Sequence, residues 1–244
     1  MIEVVVSGAA GRLGSRVVAA VETDEAMSLA ASLGRHDDPA AAIVSGRVLV
    51  ETAPHSAATQ HLRYAVEAGV PVVFASTGLD AKESAVLDEA CAQIPVVVAP
   101  NLSLGVTVLM DLVERASAAL AQYDLEVVEM HHRRKVDAPS GTAWALARAA
   151  ASGRGQDIDR DAIVARSGDV GARSDSEIGI QTLRGGGVVG EHTVFVVGET
   201  ERVELTHRAM SRDVFAAGAV SAARFLGAGL PAGRYSMRDV LGLT

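Results

Sequence analysis

The chain has 244 residues, 49% hydrophobic and 3% aromatic, enough apolar side chain for one large core or two modest ones built from Ala, Val, Leu and Ile. A formal net charge of -8 argues against a general attraction to nucleic acid or anionic membrane, so an anionic small ligand must be held by local cations or backbone N–H groups. The single cysteine, Cys91, excludes an internal disulfide. With no basic segment leading into a long apolar run, a soluble, cytoplasmic protein is expected.

The N-terminal run IEVVV, residues 2–6, is β-branched and bounded by Ser7-Gly8, which predicts a strand buried on both faces. Leu13, Val17, Val18 and Val21 then recur at helical spacing over 11–22. MSLAASL and GRVLVE read as further strands, residues 55–68 as a helix, VPVVFAS as a strand, about 80–92 as a helix, and IPVVVAP as a strand. This alternation predicts a parallel, doubly wound sheet. Near residue 100 the pattern changes. A long helix is expected over about 103–121, then the strand DLEVVEMHH, then the helix TAWALARAAA. Residues 153–176 are rich in Gly, Asp, Arg and Ser and read as a loop. The strands IGIQTLR, EHTVFVVG and ERVELTH follow, with a hairpin turn at Gly198-Glu199-Thr200, and SRDVFAAGAVSAARFL is a closing helix. The second half is therefore expected to be α+β with an open mixed sheet.

The first strand runs into GAAGRLG, in which Gly8, Gly11 and Gly14 are spaced G-x-x-G-x-x-G. Glycines let a backbone turn sharply and approach a pyrophosphate, and a helix N-terminus adds N–H groups and a positive dipole. The spacing alone also suits a plain strand-to-helix turn. Its place after a strand and before a helix favours a dinucleotide loop. An acid at the end of the second strand would bond the ribose hydroxyl of NAD. In SLGRHDD, Gly34 stands where that acid is sought, and Arg35 follows, suited to a 2′-phosphate. This favours NADPH, while Asp37 or Asp38 would serve NADH. A solvated loop arginine is the plainer alternative.

The stretch VEMHHRRKVDAPSGTA, residues 128–143, places two of the seven histidines side by side. They can be ordinary strand residues, metal ligands or interface residues. Neighbours on a strand point to opposite faces, and no Cys or His stands nearby at zinc spacing, so no metal is expected. The residues that follow favour chemistry. Lys135 adds a cation, Ser140 is a candidate N-cap, and Gly141 and Thr142 present N–H groups at a helix start, a carboxylate site. A histidine that can give a proton at neutral pH completes a site for protonating an anionic small molecule.

The segment EMHHRRKVDAPSGTA resembles the signature of the 4-hydroxy-tetrahydrodipicolinate (dihydrodipicolinate) reductase family of lysine and diaminopimelate biosynthesis. GAAGRLG resembles that family's cofactor loop, STG at 76–78 its nicotinamide loop, and APNLSLGV at 99–106 the segment joining its domains. LRGGGVVGEHTVFV, HRAMSRDVFAAGAV and MRDVLGL extend the resemblance over nearly the whole chain. It implies a Rossmann-type nucleotide domain over 1–102 and 213–244, and an α+β substrate and tetramerisation domain over 103–212. It implies a homotetramer assembled through the substrate-domain sheet. The net charge of -8 leads to the expectation of no nucleic-acid or membrane partner. Hydride would pass from NADPH or NADH to C4 of a dihydropyridine-type dicarboxylate. His131 resembles the proton donor and Lys135 its catalytic partner, with His132, Lys135, Gly141 and Thr142 on the substrate carboxylates. Cofactor contacts are implied at Gly8, Ala10, Gly11, Arg12, Leu13, Gly14, Arg35, Ser76, Thr77, Gly78, Ala99, Asn101 and Leu102.

The chain departs from the family pattern on the cofactor side. Where most members carry Asp-Phe-Thr-x-Pro, this one has ETAPHSA at 51–57, and Ala75 precedes Ser76-Thr77-Gly78 where a glycine is usual. Ala75 requires a negative φ or a shifted loop. The substrate motif is intact, so retained chemistry is expected. A reductase of another cyclic imine or enamine acid, or an idle NAD(P)-binding protein, are the competing readings. His192 and His207 are expected to serve core or interface packing, and Trp144 packing. Arg184 and Arg212 are expected either near the site, Arg212 at a hinge with Asn101, or in structural ion pairs.

Overall fold

The computed structural model describes residues 1–243. The chain divides into two compact units, one formed by Met1–Leu104 with the segment from Arg212 onward, the other by Gly105–Ser211. In chain order the elements are β1 (Ile2–Ser7), α1 (Gly14–Glu22), β2 (Met27–Leu33), α2 (Pro39–Val44), β3 (Val48–Glu51), α3 (His55–Ala68), β4 (Val72–Phe74), α4 (Ala81–Cys91) and β5 (Pro95–Val98). Then come α5 (Leu104–Ala119), β6 (Asp124–His131), α6 (Gly141–Arg154), α7 (Ile158–Asp161), β7 (Ala162–Ile163), β8 (Ile178–Arg184), β9 (Glu191–Val197) and β10 (Arg202–Arg208). The chain closes with α8 (Asp213–Leu226), β11 (Gly233–Tyr235) and α9 (Met237–Leu241).

The first unit holds a six-stranded parallel sheet in the order β11-β5-β4-β3-β1-β2. Its valine-rich strands are covered on both faces, which is why they read as unbroken apolar runs. On one face Val4, Val6, Val48 and Val50 pack with Val17 and Val21 of α1 and with the alanine-rich side of α8. On the other, Val5, Leu49 and Val72 pack with Ile43 of α2, Leu62 of α3 and Leu87 of α4. Burying a side chain such as Val17 or Leu62 contributes about 1.5–3 kcal/mol. Strand order reverses at β1: β2 lies on one side and β3 on the other. That switch opens a crevice beyond the carboxyl ends of β1 and β3.

The second unit holds a five-stranded mixed sheet, β10-β9-β6-β8-β7. β6 runs parallel to β8 and antiparallel to β9. Alternate residues of β6 are buried, so its Leu125, Val127, Glu129 and His131 share one face. The long helix α6 covers that face with Ala143, Leu146, Ala147 and Ala150 against Ile178, Ile180, Val194 and Val196. Ser140 caps α6 by accepting from the Ala143 N–H at 3.1 Å, and Gly155 ends it with φ 63°.

Several expectations need adjustment. α1 begins at Gly14, because residues 8–13 form a turn in which the Gly11 N–H donates to the Gly8 carbonyl at 2.8 Å. The stretch 153–176 is not all loop: α7, capped by Asp157, and β7, paired with β8, lie within it. Both are too short for periodicity to register. α2 and β11 escaped for the same reason. β6 stops at His131, and His132 opens a turn closed by the Lys135 N–H on its carbonyl at 3.0 Å. Among the described residues, no helix is long and apolar enough to cross a membrane.

Candidate active site

In the first unit, a cleft of about 980 Å³ lies beyond the ends of β1 and β3. Gly8 (φ 66°) lets the β1 end press against the loop after β3: a Cβ there would meet the Ala53 nitrogen at 2.9 Å. Gly14 allows α1 to approach, since a Cβ would lie 2.2 Å from the Gly8 carbonyl oxygen. Of the expected cofactor residues, Gly8, Ala10, Gly11, Arg35, Ser76 and Thr77 line this cleft. Gly78 lines a smaller neighbouring hollow with Ser76 and Thr77. The others stand elsewhere. Arg12 is exposed, Leu13 packs on the core, and Ala99 and Leu102 are buried in it. The Asn101 side chain accepts from the Ser103 N–H at 2.9 Å.

The two departures from the family pattern have local explanations. No non-glycine among the described residues has a positive φ, so Ala75 adopts an ordinary backbone, and Gly78 takes the positive value, 80°. Thr52, where the family carries Phe, donates its hydroxyl to the Ser7 carbonyl at 2.6 Å. Ser76 donates to the Ala53 carbonyl at 2.6 Å. Beneath them Glu51 is fully buried. Its carboxylate accepts from Ser7 Oγ at 2.7 Å and from the Ala53 N–H at 2.7 Å, and lies 2.6 Å from His61 Nδ1. Hydrogen bonds thus hold the loop that an aromatic would otherwise pack. Glu51 and His61 were not singled out from the sequence. A buried acid at a strand end, followed by a histidine almost two turns into the next helix, was the available signal.

Asp38, a candidate for the ribose, caps α2 by accepting from the Ala40 N–H at 3.0 Å. Asp37 accepts from the Gly34 N–H at 2.7 Å.

In the second unit, the sheet face under α6 changes character along the strands. It is apolar at Leu125, Val127, Ile178, Ile180, Val194 and Val196, then polar at Glu129, His131, Thr182, Arg184 and His192. Register brings the polar set together: Glu129 stands opposite Thr182 and His192, and His131 opposite Arg184. Glu129 is fully buried, yet fully engaged. Arg184 reaches both its oxygens, at 2.8 and 2.9 Å. The Ser140 N–H donates at 3.0 Å, the Thr182 hydroxyl at 3.2 Å, and His131 Nδ1 lies at 2.6 Å. Burial alone would raise the Glu129 carboxyl, but the bonds from Arg184, His131 and Ser140 outweigh it and hold it below the usual range. Burial pushes His131 down, against the pull of Glu129.

His192, expected to pack, does more. It is buried, its ring meets His131 edge-on with centroids 5.1 Å apart, and its Nε2 lies 3.2 Å from Ser140 Oγ. Burial, then the neighbouring His131, push it down to about 4. Lys135 pairs with Asp137 at 2.9 Å and holds that carboxyl below its usual range. Gly141 and Thr142 are the first two residues of α6, in the turn whose amides point outward along the helix axis. Of the expected substrate residues, Gly141 and Thr142 form that helix start, and His132 and Lys135 lie in the segment between β6 and α6. Arg184, open between site and structural ion pair, bridges Glu129 and the Asp137 carbonyl, which it meets at 2.6 Å.

A parallel sheet with a glycine-lined cleft at its switch point, in one chain with a sheet face that offers a held histidine beside a helix start, marks a nicotinamide-dependent oxidoreductase acting on a small anion. Comparison with known proteins narrows the class. Residues 2–102 match the family model "Dihydrodipicolinate reductase, N-terminus" and residues 105–241 match "Dihydrodipicolinate reductase, C-terminus". The chain belongs to the dihydrodipicolinate reductase family. It is 45% identical to a 4-hydroxy-tetrahydrodipicolinate reductase of Anaeromyxobacter sp. (strain Fw109-5), over 100% of this chain and 98% of the relative. It is likewise 45% identical to that of Rubrobacter xylanophilus, over 99% and 98%. Among solved structures, a dipicolinate-bound dihydrodipicolinate reductase from Paenisporosarcina sp. TG-14 shares the fold, with a TM-score of 0.80 at 24% identity over 98% of both chains.

Proposed function

We propose that this chain reduces 4-hydroxy-tetrahydrodipicolinate to tetrahydrodipicolinate with NAD(P)H, the step its full-length relatives are named for, in lysine and diaminopimelate biosynthesis. The observation that carries this reading is His131 held by Glu129 on the sheet face, with Lys135 in the turn that follows and the α6 start tied to the same Glu129 through Ser140. The bound nicotinamide supplies a hydride. Gly8, Ala10, Gly11, Arg35, Ser76 and Thr77 would hold the cofactor in their cleft, where the close approach at Gly8 keeps the loop clear of side chains.

The chain's own residues supply the rest. Lys135 and the amides of Gly141 and Thr142 neutralise substrate carboxylates, which the net charge of -8 cannot attract from a distance. His132 adds a polar contact. His131 delivers the proton, with Lys135 as its partner. NADPH is the preferred reductant: Arg35 lines the cleft, while Asp37 and Asp38 already serve backbone N–H groups. The working form is a homotetramer joined through the mixed sheet. Its face away from α6 carries Val128, Met130, Leu183 and Phe195, with Leu183 51% exposed.

The test is a steady-state assay with the substrate generated in situ from pyruvate and aspartate semialdehyde by its synthase, with NADPH and NADH in parallel. Oxidation that depends on the synthase product is expected, faster with NADPH. Tight nucleotide binding without oxidation would move the reading to another cyclic imine or enamine acid.

A further inference from the structure

His131 has two ring nitrogens, and only one can face a substrate. Nδ1 is taken by Glu129 at 2.6 Å. Glu129 is itself fixed from three directions: two oxygens to Arg184 on β8, one to the Ser140 N–H ahead of α6, and one to Thr182 on β8. The other nitrogen, Nε2, faces Gly190, the residue before β9. A Cβ built on Gly190 would lie 2.9 Å from Nε2 and 3.3 Å from Cδ2 of the same ring. That is closer than real Cβ atoms come, and the ring is pinned at its other end and cannot retreat. Two independent features thus act on one side chain. A carboxylate anchors one edge of the ring, and a missing side chain leaves room at the other.

From this geometry we infer that Glu129, locked by Arg184, is the positioning residue that keeps His131 in its Nδ1–H tautomer and makes Nε2 the proton-delivering atom, and that Gly190 is a specific steric requirement for that ring placement. The inference deepens the proposed reductase function and rests on it for the word "delivering". The tautomer itself does not. On turnover, the Nε2–H bond of the imidazolium breaks as the proton passes to the substrate anion, and the ring is left neutral with Nδ1–H still on Glu129. Solvent then restores the proton at Nε2.

The charges that face His131 are Glu129 on its own strand, Arg184 on β8, and Lys135 in the turn, with His192 on β9 and Asp137 beyond the turn further out. α6 contributes Ser140 at its cap. Among these Glu129 favours the imidazolium, and Arg184 and Lys135 oppose it. Glu129→Gln should therefore make His131 harder to protonate.

The first experiment is nitrogen NMR on the histidine-labelled wild-type protein without ligands at neutral pH, with His131→Gln used for assignment. An unprotonated Nε2 and a protonated Nδ1 are expected, and an Nε2–H tautomer would overturn the proposal whether or not the enzyme turns over. The second is kinetic. In Glu129→Gln, kcat should drop about 10- to 100-fold with little change in KM for NADPH, and the fall of kcat/KM with rising pH should move about one unit lower. Gly190→Ala should lose kcat by at least about tenfold with NADPH affinity kept. Wild-type kcat in either variant would contradict the assignment. A wild type without turnover would instead sink the reductase reading and leave the tautomer measurement to decide the rest.

Discussion

Each unit buries one glutamate at or near the end of a strand, Glu51 in the first and Glu129 in the second, and each glutamate holds a histidine Nδ1 at 2.6 Å. The difference lies in the other partners. Glu51 is met by a hydroxyl and a backbone N–H. Glu129 is met by the two-pronged guanidinium of Arg184 as well. In the first unit the buried acid organises a loop beside a cleft lined by backbone, glycines and Arg35. In the second unit a full positive charge keeps the acid ionised, so it can orient a histidine that changes protonation. A buried acid is costly unless its charge is compensated, and here only Glu129 has a guanidinium to compensate it.

Removing one partner from each glutamate should have the largest effect. Arg184→Met leaves Glu129 buried without its cation and should cost about 3–5 kcal/mol of stability in chemical denaturation. Ser7→Ala removes one hydroxyl from beside Glu51 and His61 and should cost about 1 kcal/mol. Equal losses would erase the distinction. A smaller effect is expected from the buried histidine beside Ser140. His192 is held down to about 4 from an ordinary 6.5, so the folded state binds fewer protons than the unfolded chain between those values. Stability should therefore fall as pH drops from about 6.5 toward 4, by up to the order of 3 kcal/mol in total. His192→Phe should flatten that slope, and an unchanged slope would show that other groups carry it. The smallest effect belongs to the first unit. Arg35→Ala should weaken NADPH about tenfold in titration calorimetry and NADH less than about twofold, and equal weakening would remove Arg35 from 2′-phosphate recognition.

Much of this was legible in the residues. Apolar runs such as VVV at 4–6 announced a doubly covered strand, and the glycine spacing marked the crevice at the end of β1. The Ser140 cap followed from APSGT. The anchoring of His131 was only half legible. Glu129 stands two residues before it, so the shared face could be read from strand alternation. Arg184 and His192 come from β8 and β9, and only the register of a mixed sheet brings them in. Sequence spacing carries no information about such register across connections this long. The same limit hid His61 from Glu51, and short elements such as β7 and β11 gain their order from neighbours rather than from their own pattern.

On the proposed function, proton and carboxylate chemistry belongs to the polar patch of the second unit and nucleotide binding to the cleft of the first. The most direct test measures NADPH affinity and kcat/KM side by side in the double variant His131→Gln, Lys135→Gln. Wild-type NADPH binding and thermal unfolding are expected, with kcat/KM down by at least about a thousandfold. Near-normal turnover, or a loss of nucleotide affinity equal to the loss of turnover, would contradict it.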